Sequence, residues 1–198
     1  MKKVKNNNDI ELAPTTLKDN KCSIIKPNHL YFYNDIEDKS VLDLTLALRT
    51  LANILKKKAI DDESSKVMPI KLHINSFGGF LIDGLSAANA IINCPVDVHT
   101  IIDGYCASAG TLLSIVGKKR YMYERSSLLI HQLSGVSAGK FSEHEDNIKN
   151  MKREMDMMKE LYHKFTEIPE DKLKEIMDHD LWLSSEECLK YKIVDFII

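Results

Sequence analysis

The sequence predicts an α/β domain of repeated strand-turn-helix units around a parallel sheet, with one long projecting helix near residues 140–166. Three observations lead there. Ile70, Leu72 and Ile74 alternate with polar residues, pass through the turn Asn75-Ser76-Phe77-Gly78-Gly79 into a helical run from Phe80 to Ile92, and reach a new strand at Val96. Strand, turn, helix and strand in so short a stretch mark a parallel crossover. The same succession returns between Val98 and Val116. Finally, Lys140 to Thr166 holds neither Gly nor Pro, and Ile148, Met151, Met155, Met158, Tyr162 and Phe165 form one helical seam on a rod of roughly 40 Å.

A chain of 198 residues suits one well-cored domain and is short for two. With 44% hydrophobic and 28% charged residues it has the balance of an ordinary globular protein, and a net charge of -2 gives no overall pull toward nucleic acid or an anionic membrane. No apolar run approaches the roughly 20 residues of a membrane span. The start, MKKVKNNNDI, is basic but lacks the apolar core of a signal peptide, so a cytoplasmic location is expected. Cys22, Cys94, Cys106 and Cys188 lie far apart with no C-x-x-C pair, which suggests neither a zinc site nor a disulfide framework.

Taken in order, residues 1–26 are polar without a sustained period and read as a flexible N-terminal extension, leaving 27–198 as the domain. Leu30 to Tyr33 is a short strand. Ser40 with Asp43 resembles a capping pair for an amphipathic helix carrying Leu44, Leu48, Leu51 and Leu55, closed by Lys56-Lys57-Lys58. Asp61 to Val67 is a charged loop. The helix from Ala109 to Val116 ends at Gly117, a suitable C-cap residue, and a run at Tyr121 to Tyr123 precedes the strand Leu128-Leu129-Ile130, which delivers His131 at its end. Leu133 to Gly139 is a loop by composition. Pro169 opens a short helix, Ser184 with Glu187 is a capping box for a last helix, and Ile193 to Ile198 ends the chain as a strand.

The stretch Val98 to Gly110 carries the chemistry. A strand hands over to a helix at Ala107-Ser108-Ala109-Gly110, where unpaired backbone N–H groups favour developing negative charge and make Ser108 a candidate nucleophile. The same small residues would also serve simply to pack the helix closely on the sheet. Cys106 is a rival nucleophile, less favoured on the strand side of the turn. Ser114, Ser126, Ser127, Ser134 and Ser137 are expected on loops or helix surfaces, and His29, His73, His99, His144 and His163 at exposed or strand-face positions.

Five motifs stand in sequence: I-N-S-x-G-G at Ile74 to Gly79, G-x-x-A-S-A-G at Gly104 to Gly110, K-R-Y at Lys119 to Tyr121, L-I-H-Q at Leu129 to Gln132, and D-x-W-L-S-x-x-E at Asp180 to Glu187. Together they resemble the ClpP family, the proteolytic subunits of Clp proteases, over about Tyr31 to Ile197. The resemblance implies a ClpP/crotonase-like fold and a serine endopeptidase with Ser108 as nucleophile, His131 as general base and Asp180 as orienting acid. The backbone N–H groups of Gly79 and Ala109 match the oxyanion-hole positions, Asp178 is the local rival of Asp180, and Asp195 matches an acidic position near the family's terminal strand that is structural. It also implies a ring of seven subunits, with two stacked rings as the larger state, peptide or unfolded-protein substrates, and an AAA+ unfoldase as the only route for ATP. The subunit itself is expected to carry no cofactor or metal, and no nucleic-acid or membrane partner is expected. Some positions depart from the pattern. Phe77 and Leu133 stand where the family has proline, Lys192 where it has glycine, and His179 where an arginine couples stacked rings. Lys71 and His73 replace tyrosines of the unfoldase-docking pocket. Three alternatives follow: a catalytically silent ring subunit, a narrow processing peptidase working without an unfoldase, and an acyl-CoA enzyme of the crotonase type.

Overall fold

The computed structural model describes residues 22–23, 27–64 and 66–198. Apolar residues at every second position build its sheet. The first strands are β1 (Cys22–Ser23) and β2 (His29–Phe32), followed by helix α1 (Asp38–Asp61), β3 (Ile70–Ser76) and α2 (Leu81–Ile92). Leu30, Phe32, Ile70, Leu72 and Ile74 are fully buried on one sheet face, and α1 lays Leu44, Leu48, Leu51 and Leu55 into the same core. Each such side chain stabilises by about 1.5–3 kcal/mol relative to exposure. Of the extension read over 1–26, only β1 falls within the described residues, where it pairs antiparallel with β2.

The ten-residue strand β4 (Val98–Ala107) is the centre of the sheet. It runs parallel to β3, and after α3 (Ala109–Ile115) its first half pairs with β5 (Lys119–Met122). Its second half pairs instead with β6 (Ser127–Leu129), through Tyr105, Cys106 and Ala107. The chain then forms α4 (Phe141–Phe165), α5 (Glu170–Met177), β7 (Trp182–Leu183), α6 (Ser185–Lys190) and β8 (Phe196–Ile197). Strand β7 returns antiparallel to β6, and β8 closes the other edge beside β5. The α/β class, the parallel sheet and the long helix follow the expectation from sequence. Among the described residues no helix is long and apolar enough to cross a membrane.

Several local readings are corrected. Helix α1 starts at Asp38, and Ser40 sits in its first turn, where its hydroxyl accepts from Glu37 N–H at 3.1 Å. A serine satisfies the same orphan donors from either end of a capping box. Ser114 and Ser126 are buried, because their hydroxyls donate to the carbonyls of Thr111 and Ile102. His73 is buried too, between Tyr31, stacked at 4.4 Å, and Asp103, bonded at 2.9 Å, with His29 Nδ1 at 2.9 Å from its Nε2. Gly117 is required for space, since a Cβ there would meet Thr100 Oγ1 at 2.4 Å. The seam of α4 is half covered: Met158 and Tyr162 are buried while Ile148 stays 54% exposed.

Lys192 occupies a left-handed conformation, φ 52°, just beyond α6. Lys192→Gly is therefore expected to raise stability by about 0.5–1 kcal/mol in chemical unfolding, and a loss would contradict that backbone. Asp195 reads as structural and is so: both oxygens hold the Arg120 side chain, which also donates to the Phe165 carbonyl. Burial would raise the Asp195 carboxyl, but the hydrogen bonds and charge of Arg120 prevail and hold it below the usual aspartate value. A depressed folded pKa gives stability that is present above the unfolded value, about 3.9, and is lost as pH falls through the folded one. The stability gap between wild type and Asp195→Asn should thus be widest near neutrality and close below about pH 4; a gap independent of pH would sink this account.

Candidate active site

Ser108 lies where β4 ends and α3 begins, and its backbone is unusual for a residue with a side chain, φ 53° and ψ −131°. Surrounding contacts hold it there. Its N–H donates to the Leu129 carbonyl at 2.9 Å, and its carbonyl accepts from Thr111 N–H at 3.0 Å and Thr111 Oγ1 at 2.6 Å. Thr111 in turn bonds the hydroxyl of Tyr162, buried on α4, whose ionisation burial pushes up despite the Thr111 bond. Thr111 and Tyr162 were not singled out by sequence reasoning; the only trace was Tyr162 in the α4 seam. Strain of this kind persists only where the surroundings impose it, and it concentrates at functional turns.

The glycine loop lies directly against this turn. A Cβ on Gly78 would come within 2.6 Å of Ser108 Cβ and 3.1 Å of the Ala109 nitrogen. Gly79 forms a parallel bridge with Ile36, in which Ile36 N–H donates to Gly78 O at 2.8 Å and Phe80 N–H to Ile36 O at 2.9 Å. In that pattern the N–H of Gly79 itself points away from Ile36. The N–H of Ala109, in the first turn of α3, has no carbonyl one turn behind it to bond. Gly79 follows the glycine packed on Ser108, and Ala109 follows Ser108 itself.

Strand pairing brings the other two candidates to the same corner. Ala107 is opposite Leu129, and Leu129 is opposite Trp182. The β6–β7 pairing ends at Leu129 and Trp182, two residues short of His131 and Asp180, and Asp178 is the C-cap residue of α5. Gln132 N–H donates to the Met177 carbonyl at 3.1 Å, tying the chain after His131 to the end of α5.

The three side chains are not joined by hydrogen bonds. His131 Nδ1–H donates to the carbonyl of Gln132 at 2.7 Å, and among the described residues no hydrogen bond links Ser108 to His131 or His131 to Asp180. A neutral imidazole with its proton on Nδ1 keeps the Nε2 lone pair for use as a base. The Gln132 carbonyl therefore fixes the tautomer that a carboxylate would otherwise fix. Asp180 is exposed.

Cys106 is unsuited to the rival role. It is fully buried, and burial pushes its thiol up to about 12, only partly offset by a hydrogen bond with Ser114. A protonated, inaccessible thiol is not a nucleophile near neutral pH. Among the described residues no three His, Cys, Asp or Glu side chains form a group that could hold a metal ion.

The central strand of an α/β protein's mostly parallel sheet thus ends in a strained serine backed by a glycine loop. The solved structure of a mutant ClpP1 from Listeria monocytogenes matches with a TM-score of 0.73 at 26% identity, covering 87% of this chain and 91% of that one. The chain belongs to the Clp protease family, whose model matches residues 24–198. Among its relatives, an ATP-dependent Clp protease proteolytic subunit of Deinococcus radiodurans is 30% identical over 82% of this chain and 81% of its own length. A proteolytic subunit 3 of Rhizobium meliloti is 27% identical over 98% and 97% respectively.

Proposed function

We propose that the chain is a serine endopeptidase of the ClpP type, hydrolysing peptides or unfolded chains through an acyl-enzyme inside a ring of seven subunits. The observation that carries this reading is the convergence at one corner of the strained Ser108, the Gly78–Gly79 loop and the ends of β6 and β7. Ser108 Oγ attacks the substrate carbonyl as His131 Nε2 takes its proton, and the oxyanion is held by the N–H groups of Gly79 and Ala109. The imidazolium returns its proton to the leaving amine, and water then repeats the sequence to release the acyl group. Asp180 steadies the charged ring once Nδ1 turns from Gln132 toward it. No step calls for a metal or cofactor.

Self-association is supported by α4, where Ile148 of the seam and Phe141, seven residues before it, are 54% and 79% exposed. An AAA+ unfoldase is the partner that would bring ATP to the system, with the cytoplasm as the working compartment. The buried His73–Asp103 pair at the docking position favours, as the narrower version, a processing peptidase that works without one. The His131–Gln132 bond favours a second reading, a ring subunit that is silent until a neighbour or substrate aligns it.

Labelling with a fluorophosphonate, read by intact mass and peptide mapping on wild type and His131→Ala, tests the proposal. Modification of Ser108 in wild type, slowed at least about a hundredfold by His131→Ala, is the expected result. An oligomeric, folded protein that never labels would leave the silent-subunit reading standing.

A further inference from the structure

Three aromatic residues from distant parts of the chain meet beside the candidate site. Phe77 immediately precedes the two glycines, Tyr105 lies on β4 shortly before Ser108, and Trp182 opens β7 just after Asp180. The Phe77 and Tyr105 ring centroids are 5.0 Å apart and those of Tyr105 and Trp182 5.2 Å, both tilted, while Phe77 meets Trp182 edge-on at 6.4 Å. These are the separations and angles that aromatic rings prefer. The rings remain 62%, 49% and 41% exposed, so the cluster is not part of the core.

Its position explains why contacts are needed there. The β3–β4 ladder shifts register between Ile74 and Ser76, where β3 gives way to the glycine loop. Beyond that point the ladder no longer fixes the loop sideways, and Gly78 and Gly79, at φ 99° and 151°, add no side chains of their own. Two ties replace it there, in addition to the Ile36–Gly79 bridge. Asn75 Oδ1 accepts from Tyr105 N–H at 2.8 Å, and the Phe77 ring packs across Tyr105 to Trp182. One cluster therefore touches the segments that carry the oxyanion donors, the nucleophile and the acid.

We propose that Phe77, Tyr105 and Trp182 are positioning residues, a three-ring clamp that holds the Gly78–Gly79 loop and the strand after Asp180 in register with Ser108. The inference rests on the catalytic reading of Ser108 given above. It predicts that loss of a ring disturbs the transition state rather than substrate capture, and that losses within the clamp are not additive.

The test measures peptide hydrolysis and the rate of fluorophosphonate labelling in Phe77→Ala, Trp182→Ala and their double variant, with Phe77→Tyr and Trp182→Phe as conservative replacements. Each alanine variant is expected to lower kcat and the labelling rate about tenfold with KM within about twofold. The double variant should be no slower than the slower single one, and both conservative variants should stay within about twofold of wild type. Phe77→Leu, which keeps apolar bulk without a ring, should show the same loss if Phe77→Ala does not fold. Trp182 is the only tryptophan, so its fluorescence reports the cluster directly, and acrylamide should quench it more readily in Phe77→Ala and Phe77→Leu but not in Phe77→Tyr. A raised KM with unchanged kcat would make the cluster a substrate platform and overturn the clamp. So would multiplicative losses in the double variant, or unchanged labelling in the alanine variants while wild type labels at Ser108. A wild type that does not label at all removes the catalytic reading, and the clamp with it.

Discussion

Ser108→Ala is expected to lower peptide hydrolysis at least about a thousandfold and to abolish fluorophosphonate labelling, with the thermal midpoint within about 2 °C of wild type. The hydroxyl has no hydrogen-bonded role in holding the turn, since the bonds at this position come from the Ser108 backbone, to Leu129 and Thr111. Removing it takes away the proposed nucleophile and little else. Ser108→Gly extends the test to the backbone. A glycine adopts φ 53° and ψ −131° without the Cβ clash that serine suffers. Relief of that strain should exceed the entropy cost of glycine and stabilise the fold by about 1 kcal/mol, or roughly 2–4 °C in a chain of this size. The two variants would then be equally inactive, with the glycine form the more stable. Such a trade of stability for activity is the mark of a strained functional turn. Retained turnover in Ser108→Ala would remove this residue from the mechanism, and an unstable Ser108→Gly would mean that the turn is not strained.

What could be read in advance followed from local periodicity. The Gly- and Pro-free seam became α4 within a residue or so at each end, and the alternation at Ile70, Leu72 and Ile74 became β3. Capping was read correctly where both partners of the box are local, at Ser184 and Glu187, and displaced at Ser40, because a serine near a helix start fits either side of the same box. Ser114 and Ser126 were misplaced at the surface because polarity alone does not reveal a nearby backbone acceptor. That acceptor is what makes a buried hydroxyl tolerable. The motifs point to Ser108, His131 and Asp180, but the strands next to His131 and Asp180, β6 and β7, have three and two residues with almost no pattern of their own. The contact of Phe77 with Trp182 and the turn of His131 toward Gln132 exist only in three dimensions. No spacing along the chain encodes them.

Gly79→Ala should be damaging in a different way from Ser108→Ala, by breaking the scaffold of the loop proposed to hold the oxyanion. A Cβ at this position would lie 2.1 Å from the Ile36 carbonyl oxygen and 2.9 Å from both Ile36 C and Ile36 N. All three are backbone atoms, so no side-chain rotation can relieve the overlap. Ile36 itself cannot retreat easily, because it is 1% exposed and is held by hydrogen bonds on both sides, to Gly78 O and from Phe80 N–H. The φ of 151° adds a conformation that residues with a Cβ rarely adopt. The bridge must open, two backbone hydrogen bonds are lost, and Ile36 is pushed from the core. Together these put the expected cost at about 3–4 kcal/mol, a fall of roughly 6–16 °C in the thermal midpoint. Labelling of Ser108 should fall with it even well below that midpoint, since the Gly79 N–H moves when the bridge opens. A Gly79→Ala protein with wild-type stability would contradict the Ile36 bridge. One that is destabilised yet labels at the wild-type rate would exclude Gly79 as an oxyanion donor while leaving Ser108 in place. Stability and labelling, measured on the same variant, thus separate the architecture of the loop from its part in the reaction.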